Sequence, residues 1–178
     1  TPDTLADAVG PDTAAIVLEP VQGEGGVHPL APETLTLARE LADAHGALLV
    51  FDEIQTGVGR TGAFFAWEHS GVKPDAATLA KGLANGLPIG TLLVSEDAPT
   101  GFEPGDHAST FGGNLVTCAA ACAVVDAIDD ELLAHVRAIS ERFASSLDGT
   151  RGLGLLLFLL QAPHPRIDAV HALELAHV

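Results

Sequence analysis

Three ionisable side chains follow short apolar runs of the sequence, and their types suggest covalent chemistry. Glu24 lies in a glycine-rich loop, Asp52 comes directly after one apolar run, and Lys81 comes directly after another. Desolvation and a nearby cation lower the pKa of a lysine, so a buried lysine becomes a nucleophile that can form a Schiff base. The simpler interpretation of each residue taken alone is a solvated strand end. Three such residues in a chain with only two lysines favour a functional site.

The elements around these residues predict that they meet at one edge of a sheet. The apolar runs 14–19 and 47–51 are typical of buried strands, and residues 31–44 have apolar positions at helical spacing. Strand, helix and strand joined by short links indicate a parallel sheet. We therefore expect an α/β fold, a mainly parallel sheet flanked by helices, with a ligand crevice beyond the carboxyl ends of the strands.

The rest of the chain alternates between predicted elements and loops. A short helix is expected at 64–69, and further strands are expected at 76–80 and 89–95. Residues 96–108 are rich in Pro, Gly and Asp and indicate a loop. Two helices are expected after it, at 114–129 and at 131–147, the second of them amphipathic.

Composition excludes several classes of function. The chain has 24 acidic and 8 basic residues, and its net charge of −16 opposes binding to nucleic acids and anionic membranes. This balance favours a salt-adapted, halophilic protein over an ordinary acidic one. The sequence contains no apolar run of about 18 residues and no secretory signal at its start. It does not begin with Met, which suggests an internal fragment.

The two cysteines predict packing rather than metal binding. Cys118 and Cys122 are four residues apart in an Ala-rich stretch, so on a helix they share a face and behave as small apolar side chains. A structural zinc site needs about four ligands, and no second Cys/His pair lies at a suitable spacing. No metal site is expected.

Four stretches of the sequence together resemble the class III aminotransferases, which have the fold type I of pyridoxal-phosphate (PLP) enzymes. They are LEPVQGEGG (18–26), LLVFDEIQTGVGRTG (48–62), PDAATLAKGLANGLPIG (74–90) and HASTFGGN (107–114). The resemblance extends over about residues 12–154 in the right order, and four linked motifs make it far more specific than a lone glycine-rich loop. Within the class, the motifs are most similar to those of enzymes acting on N-acetylornithine, ornithine and lysine-pathway intermediates.

The resemblance implies a PLP site. Lys81 would form the Schiff base with the cofactor and then act as general base and acid. Asp52 would pair with the pyridine nitrogen, which keeps the ring able to accept electrons. Gln55 would lie near the phenolic oxygen, and the whole segment is expected to contact the cofactor: Asp52, Glu53, Ile54 and Gln55.

The resemblance also implies a substrate site shared between two subunits of a homodimer. Thr110 would bind the cofactor phosphate of the neighbouring subunit, and Ser109 would lie beside the substrate. Glu24 matches the glutamate that lies near the arginine binding the substrate carboxylate. Arg60 lies in a glycine-rich turn, where bracing of the backbone is as well supported as a functional role.

The implied reaction is transfer of an amino group from N-acetylornithine, or a related ω-amino acid, to 2-oxoglutarate. It would serve arginine or lysine biosynthesis in the cytoplasm. Two alternatives remain open at this point. One is a 4-aminobutyrate or other ω-amino-acid transaminase, and the other is an inactive fragment that keeps only a partial PLP site.

The chain departs from the family in its length and at its end. The family is more than twice as long, and its first phosphate-binding loop and ring-stacking aromatic would precede Thr1. Residues 1–150 are expected to form part of the large PLP-binding domain, including the start of the helical link. Residues 151–178 are expected to be a truncated or aberrant start of the small C-terminal domain. The family's distal arginine is absent, and the apolar run 155–160 is expected to be exposed.

Overall fold

A computed structural model describes residues 2–98, 101–147 and 149–159, and its centre is a four-stranded sheet. Its strands are β1 Ala15–Leu18, β4 Leu48–Asp52, β5 Ala76–Leu79 and β6 Thr91–Val94. They lie side by side in the order β1-β4-β5-β6. β1 and β4 are parallel, β4 and β5 are parallel, and β6 is antiparallel to β5. The predicted α/β fold with a mainly parallel sheet is confirmed.

Helix α2, Pro32–His45, covers one face of the sheet. A proline at the first turn suits a helix start because its missing N–H would have no helical partner. The helix buries Leu35, Ala38 and Ala42 against Leu49 and Phe51 of β4. Burying a Leu or Phe side chain contributes roughly 1.5–3 kcal/mol, so this layer anchors the strand that ends at the candidate site.

The opposite face of the sheet borders an apolar cavity of about 500 Å³. Leu48 and Val50 of β4 point to this side, because side chains alternate along a strand. Leu92 and Val94 of β6 line the same cavity, together with Phe102 from the loop that follows. The two faces of β4 therefore have different surroundings, one against a helix and one against an open cavity.

The helices after the sheet agree with prediction to within one or two residues. Helix α3 spans Leu115–Ala127, and helix α4 spans Asp130–Ser146. The Asn114 side chain caps α3 by accepting hydrogen bonds from two backbone N–H groups, and the Asp129 side chain caps α4 by accepting one, from the Leu132 N–H. The short 3-10 helix Ala66–His69 lies where a short helix was expected. No helix in the described ranges has the length and apolar character needed to cross a lipid bilayer.

Five small elements were not predicted: one helix and two pairs of short strands. Helix α1, Pro2–Ala8, places Leu5 against the core beside α2. Two-residue strands, β2 Val21–Gln22 and β3 His28–Pro29, pair within the expected glycine-rich loop. Strands β7 Thr150–Leu153 and β8 Leu156–Leu159 form an antiparallel hairpin.

The β7–β8 hairpin corrects the expectation that the apolar run 155–160 is exposed. Phe158 is 7% exposed and packs with Val21 and Val27, and Leu156 packs on the same cluster. The reason is that the hairpin folds back onto the small β2–β3 ribbon, which supplies an apolar surface. Leu160 and the rest of the predicted aberrant tail lie outside the described residues.

Candidate active site

Asp52 and Lys81 lie at the carboxyl ends of two neighbouring parallel strands. Asp52 is the last residue of β4, and Lys81 comes two positions after the end of β5. The register pairs Asp52 directly with Thr78, three residues before Lys81. Because the carboxyl ends of parallel strands lie at one edge of a sheet, the fold brings both residues to the edge that the sequence predicted.

The Asp52 carboxylate is held in place through one of its oxygens. Asp52 Oδ1 accepts hydrogen bonds from the Ile54 backbone N at 3.0 Å and from Thr78 Oγ1 at 3.2 Å. Within the described ranges Asp52 Oδ2 has no hydrogen-bond partner. An oriented carboxylate with one uncommitted oxygen fits the task of accepting a charge-assisted hydrogen bond from a protonated ring nitrogen.

Lys81 stands on a well-packed turn but is itself exposed. It opens the 3-10 helix Lys81–Ala84 with a positive φ of 42°, a conformation that is uncommon for a lysine. Leu83 and Ala84 of this turn are buried against Ala121 of α3. In this chain the turn buries Leu83 and Ala84 rather than the lysine, so the role of Lys81 stays a prediction.

Glu24 and Gln55 connect the loops that follow β1 and β4. Gln55 Nε2 donates a hydrogen bond to Glu24 Oε1 at 3.2 Å. The glutamine side chain lies so close to Gly23 that a Cβ there would be 2.4 Å from Gln55 Oε1. The Gly23 N–H in turn donates to Glu19 Oε2 at 3.0 Å. Glu24 is therefore brought to the same edge of the sheet as Asp52.

Glu53 points into the protein interior, where it organises the chain after β4. It is fully buried, and its carboxylate accepts hydrogen bonds from Thr56 Oγ1 and from the backbone N–H groups of Ala66 and Trp67. Burial raises the pKa of the Glu53 carboxyl, whereas these three hydrogen bonds lower it, and the net direction is upward. These contacts of Glu53 are with the protein interior rather than with the open edge of the sheet. Within the segment 52–55, Asp52, Ile54 and Gln55 therefore remain the candidates for direct contact with a cofactor.

Ser109 and Thr110 lie apart from this cluster. Both are exposed in the loop between β6 and α3. Across the described ranges, no hydrogen bond joins either side chain to Asp52, Gln55 or Lys81. Their expected roles involve a neighbouring subunit, so the contacts of a single chain leave those roles as predictions.

Two arginines that the sequence reasoning did not single out hold loops near the site. Arg137 of α4 donates to the Gly62 carbonyl, and Arg151 of β7 donates to the carbonyls of Gly26 and Val27. The backbone carbonyl of Arg60 accepts from the Leu155 N–H at 2.9 Å, which ties its turn to the β7–β8 hairpin. The signal in the sequence that could have drawn attention to these two residues is the small number of arginines, six in the whole chain.

Comparisons with known sequences agree on one family. The sequence model of the family Aminotransferase class-III matches residues 3–152. The acetylornithine aminotransferase of Corynebacterium efficiens is 52% identical over 160 residues, which cover 86% of this chain and 40% of that protein. The acetylornithine aminotransferase of Methanopyrus kandleri is 46% identical over 165 residues, covering 87% and 42%. The chain spans less than half the length of these relatives.

Solved structures give the same result. The N-acetylornithine aminotransferase of Stenotrophomonas maltophilia K279a has a TM-score of 0.78 and 36% identity, covering 91% of this chain and 45% of that one. The ornithine aminotransferase of Toxoplasma gondii has a TM-score of 0.75 and 36% identity, covering 86% and 38%. The Toxoplasma enzyme holds PLP at its active site with partial occupancy.

Proposed function

Because the chain belongs to the class-III aminotransferase family, we propose that it forms the cofactor-binding centre of a PLP-dependent transaminase. The proposed reaction moves an amino group from N-acetylornithine, or a related ω-amino acid, to 2-oxoglutarate. The observation that carries the proposal is the placement of Asp52 and Lys81 at the ends of two neighbouring parallel strands. The names of the relatives favour N-acetylornithine as the amino donor.

The side chains at this edge fit PLP in their chemistry. When bound, PLP supplies a ring that accepts electrons from the carbon next to the reacting nitrogen. Lys81 would hold the cofactor covalently through Nζ and, once released, would move a proton to and from that carbon. Asp52 would hold the proton on the ring nitrogen with Oδ2, while Thr78 and Ile54 fix the carboxylate through Oδ1.

The remaining predicted residues would complete the site. Gln55 would contact the cofactor ring, with its other hydrogen bond to Glu24 setting its orientation. Glu24 would face the substrate. Ser109 and Thr110 would serve the site of a second subunit in a homodimer, and their exposure in this chain supports such a role. The second subunit, or further chain of the kind the longer relatives contain, would also cover Lys81 and exclude water.

The proposal extends to the setting of the enzyme and to its alternatives. The reaction would belong to amino-acid biosynthesis, in arginine or lysine synthesis, in the cytoplasm. A 4-aminobutyrate transaminase is the second candidate donor assignment, but the names of the matched relatives and of the matched structures do not favour it. The chain alone would be inactive, because it corresponds to only 40% of a relative's length and so would lack much of the site.

The decisive experiment compares amino donors in two proteins, one longer and one consisting of this chain alone. The holoenzyme that contains this chain and the 178-residue chain itself are each supplied with PLP in molar salt. Transfer to 2-oxoglutarate is then measured from N-acetylornithine, ornithine and 4-aminobutyrate. We expect the holoenzyme to have the highest kcat/KM with N-acetylornithine and the chain alone to show no turnover. A preference for 4-aminobutyrate would overturn the donor assignment, and turnover by the chain alone within tenfold of the holoenzyme would overturn the inactivity.

A further inference from the structure

The turn that carries Glu24 has a backbone that needs support from outside. The N–H groups of Gly26 and Val27 both donate to the Gly23 carbonyl, at 3.0 and 3.1 Å, and close a tight turn around Glu24. Val27 has a φ of 53°. A β-branched residue in the left-handed region is strained and persists only where its surroundings hold it there.

Arg151 provides that support from a distant part of the chain. Its Nε donates to the Val27 carbonyl at 2.9 Å, and its Nη2 donates to the Gly26 carbonyl, 125 positions away along the sequence. The planar guanidinium presents donors in a fixed fork, so one side chain can hold two consecutive carbonyls.

The arginine is itself fixed by the hairpin on which it lies. Its guanidinium carbon lies 5.0 Å from the centroid of the Phe158 ring, within the range of a cation–π contact. Phe158 is buried against Val21 and Val27, so the ring that orients Arg151 also packs on the turn that Arg151 holds. We call the two hydrogen bonds from Arg151 to the Gly26 and Val27 carbonyls the clamp. Together with the Phe158 contacts, the clamp joins the β7–β8 hairpin to both ends of the small β2–β3 ribbon.

On the other side of the turn, Gln55 holds the Glu24 side chain. The Glu24 carboxylate accepts from Gln55 Nε2, and the glutamine packs tightly on Gly23. The position of the carboxylate thus depends on two independent supports. One is the side-chain contact from the loop after β4, and the other is the backbone clamp from β7.

We propose that Arg151 is a positioning residue that acts on the amino donor through Glu24. The guanidinium fixes the backbone of the turn, and the turn fixes where the Glu24 carboxylate meets the substrate. Loss of the clamp would therefore weaken binding of the amino donor more than it slows turnover or releases PLP. The inference rests on the proposed function only for the role of Glu24; the clamp itself is a property of this chain.

The first arm of the test measures the clamp directly. Hydrogen–deuterium exchange is followed by mass spectrometry in the 178-residue chain and in Arg151→Gln and Arg151→Lys. We expect the amides of Gly26 and Val27 to exchange about tenfold faster in Arg151→Gln, as for loss of one charge-assisted hydrogen bond. Arg151→Lys, whose ammonium keeps the charge but lacks the fixed planar fork of donors, should give an intermediate rate. The control is Arg142→Gln, which removes an exposed arginine from α4.

The second arm uses the holoenzyme that contains this chain. We expect Arg151→Gln to raise KM for the amino donor about three- to tenfold and to change kcat less than about threefold. In a Glu24→Gln background the same change should have almost no further effect on KM, because the two residues act through one path.

The outcomes separate the inference from the proposed function. Equal exchange at Gly26 and Val27 in all variants would overturn the clamp, whatever the kinetics. An equal rise of KM with and without Glu24 would overturn action through Glu24. If the unmutated holoenzyme transfers no amino group, the proposed function fails, and the exchange measurement still decides whether Arg151 holds the turn.

Discussion

Gln55 donates a hydrogen bond to Glu24 at 3.2 Å, and this contact joins two loops that lie 31 residues apart in the sequence. Each loop follows one of two neighbouring parallel strands, β1 and β4. The contact therefore ties a residue of the proposed cofactor site to a residue of the proposed substrate site. A substitution in either loop is therefore expected to alter the position of the side chains in the other.

Lys81 is expected to be the residue that binds PLP covalently. The chain has only one other lysine, Lys73, which is exposed in the segment before β5. Borohydride reduction of the PLP-loaded holoenzyme, followed by peptide mapping, should label the peptide that contains Lys81. Lys81→Ala should lower turnover by more than the roughly 10²–10⁴-fold that loss of an acid–base group alone causes. The matched control, Lys73→Ala, should retain both label and turnover, and label on Lys73 alone would refute the assignment.

Asp52→Asn is expected to weaken PLP retention and turnover together. An amide cannot balance the charge of a protonated ring nitrogen, and loss of a charge-assisted hydrogen bond costs about 1.5–3 kcal/mol. The apparent Kd for PLP should rise by roughly ten- to a hundredfold, as measured by equilibrium dialysis. Thr78→Val removes one of the two donors to Oδ1 and should have a smaller effect in the same direction. Unchanged PLP affinity in Asp52→Asn would count against the role of Asp52.

Glu53 is expected to make stability depend on pH. Burial raises the pKa of its carboxyl in the folded chain above the ordinary value of 4.5, so the folded state binds the proton more tightly. The resulting stabilisation is complete below pH 4.5 and is lost as the pH rises through the folded pKa. The free energy of unfolding, relative to Glu53→Gln, should therefore fall with pH by at most about 1.4 kcal/mol per unit in that window.

Trp67 offers a direct probe for this measurement. It is the only tryptophan, and its backbone N–H donates to Glu53 Oε1 at 3.0 Å. Urea unfolding followed by its fluorescence would be measured from pH 4 to pH 8. Glu40→Gln, at an exposed position of α2, is the control and should show no matching trend. A difference between wild type and Glu53→Gln that rises with pH would show that the shift has the opposite sign.

Gly154→Ala is expected to detach the β7–β8 hairpin. A Cβ at Gly154 would lie 2.4 Å from the Thr61 Cα, which is backbone and cannot move aside cheaply. Gly71→Ala is a matched control because it has a similar positive φ, 71° against 60°, with open space around the added atom. The control should cost about 1–2 kcal/mol from backbone strain alone, and Gly154→Ala should cost clearly more. Equal costs in chemical denaturation would mean that the hairpin does not pack on the Thr61 turn.

The sequence predicted the strand ends well because apolar runs mark them. Asp52 and Lys81 follow such runs directly, so parallel pairing alone places them at one edge. The inward direction of the Glu53 side chain could also have been predicted from the sequence. Side chains alternate along a strand, and Glu53 lies two and four positions after the buried Phe51 and Leu49. The Arg151 clamp could not be found in this way, because no local pattern indicates a contact between residues so far apart. The strands β2 and β3 are too short, at two residues each, to give a periodic signal.

The connection that carries Lys81 has a consequence for the order in which the protein folds. It joins two antiparallel strands, and the register pairs Leu79 with Thr91 across a short loop. Arg151 reaches Gly26 over 125 positions, and the entropy lost on closing a loop grows with its length. We expect the turn that carries Lys81 to form early and the turn that carries Glu24 to form last. During folding, the residue proposed to hold the cofactor would then reach its place before the residue proposed to face the substrate. In pulsed hydrogen exchange during refolding, amides of β5 and β6 should be protected before those of Gly26 and Val27, and the reverse order would contradict this.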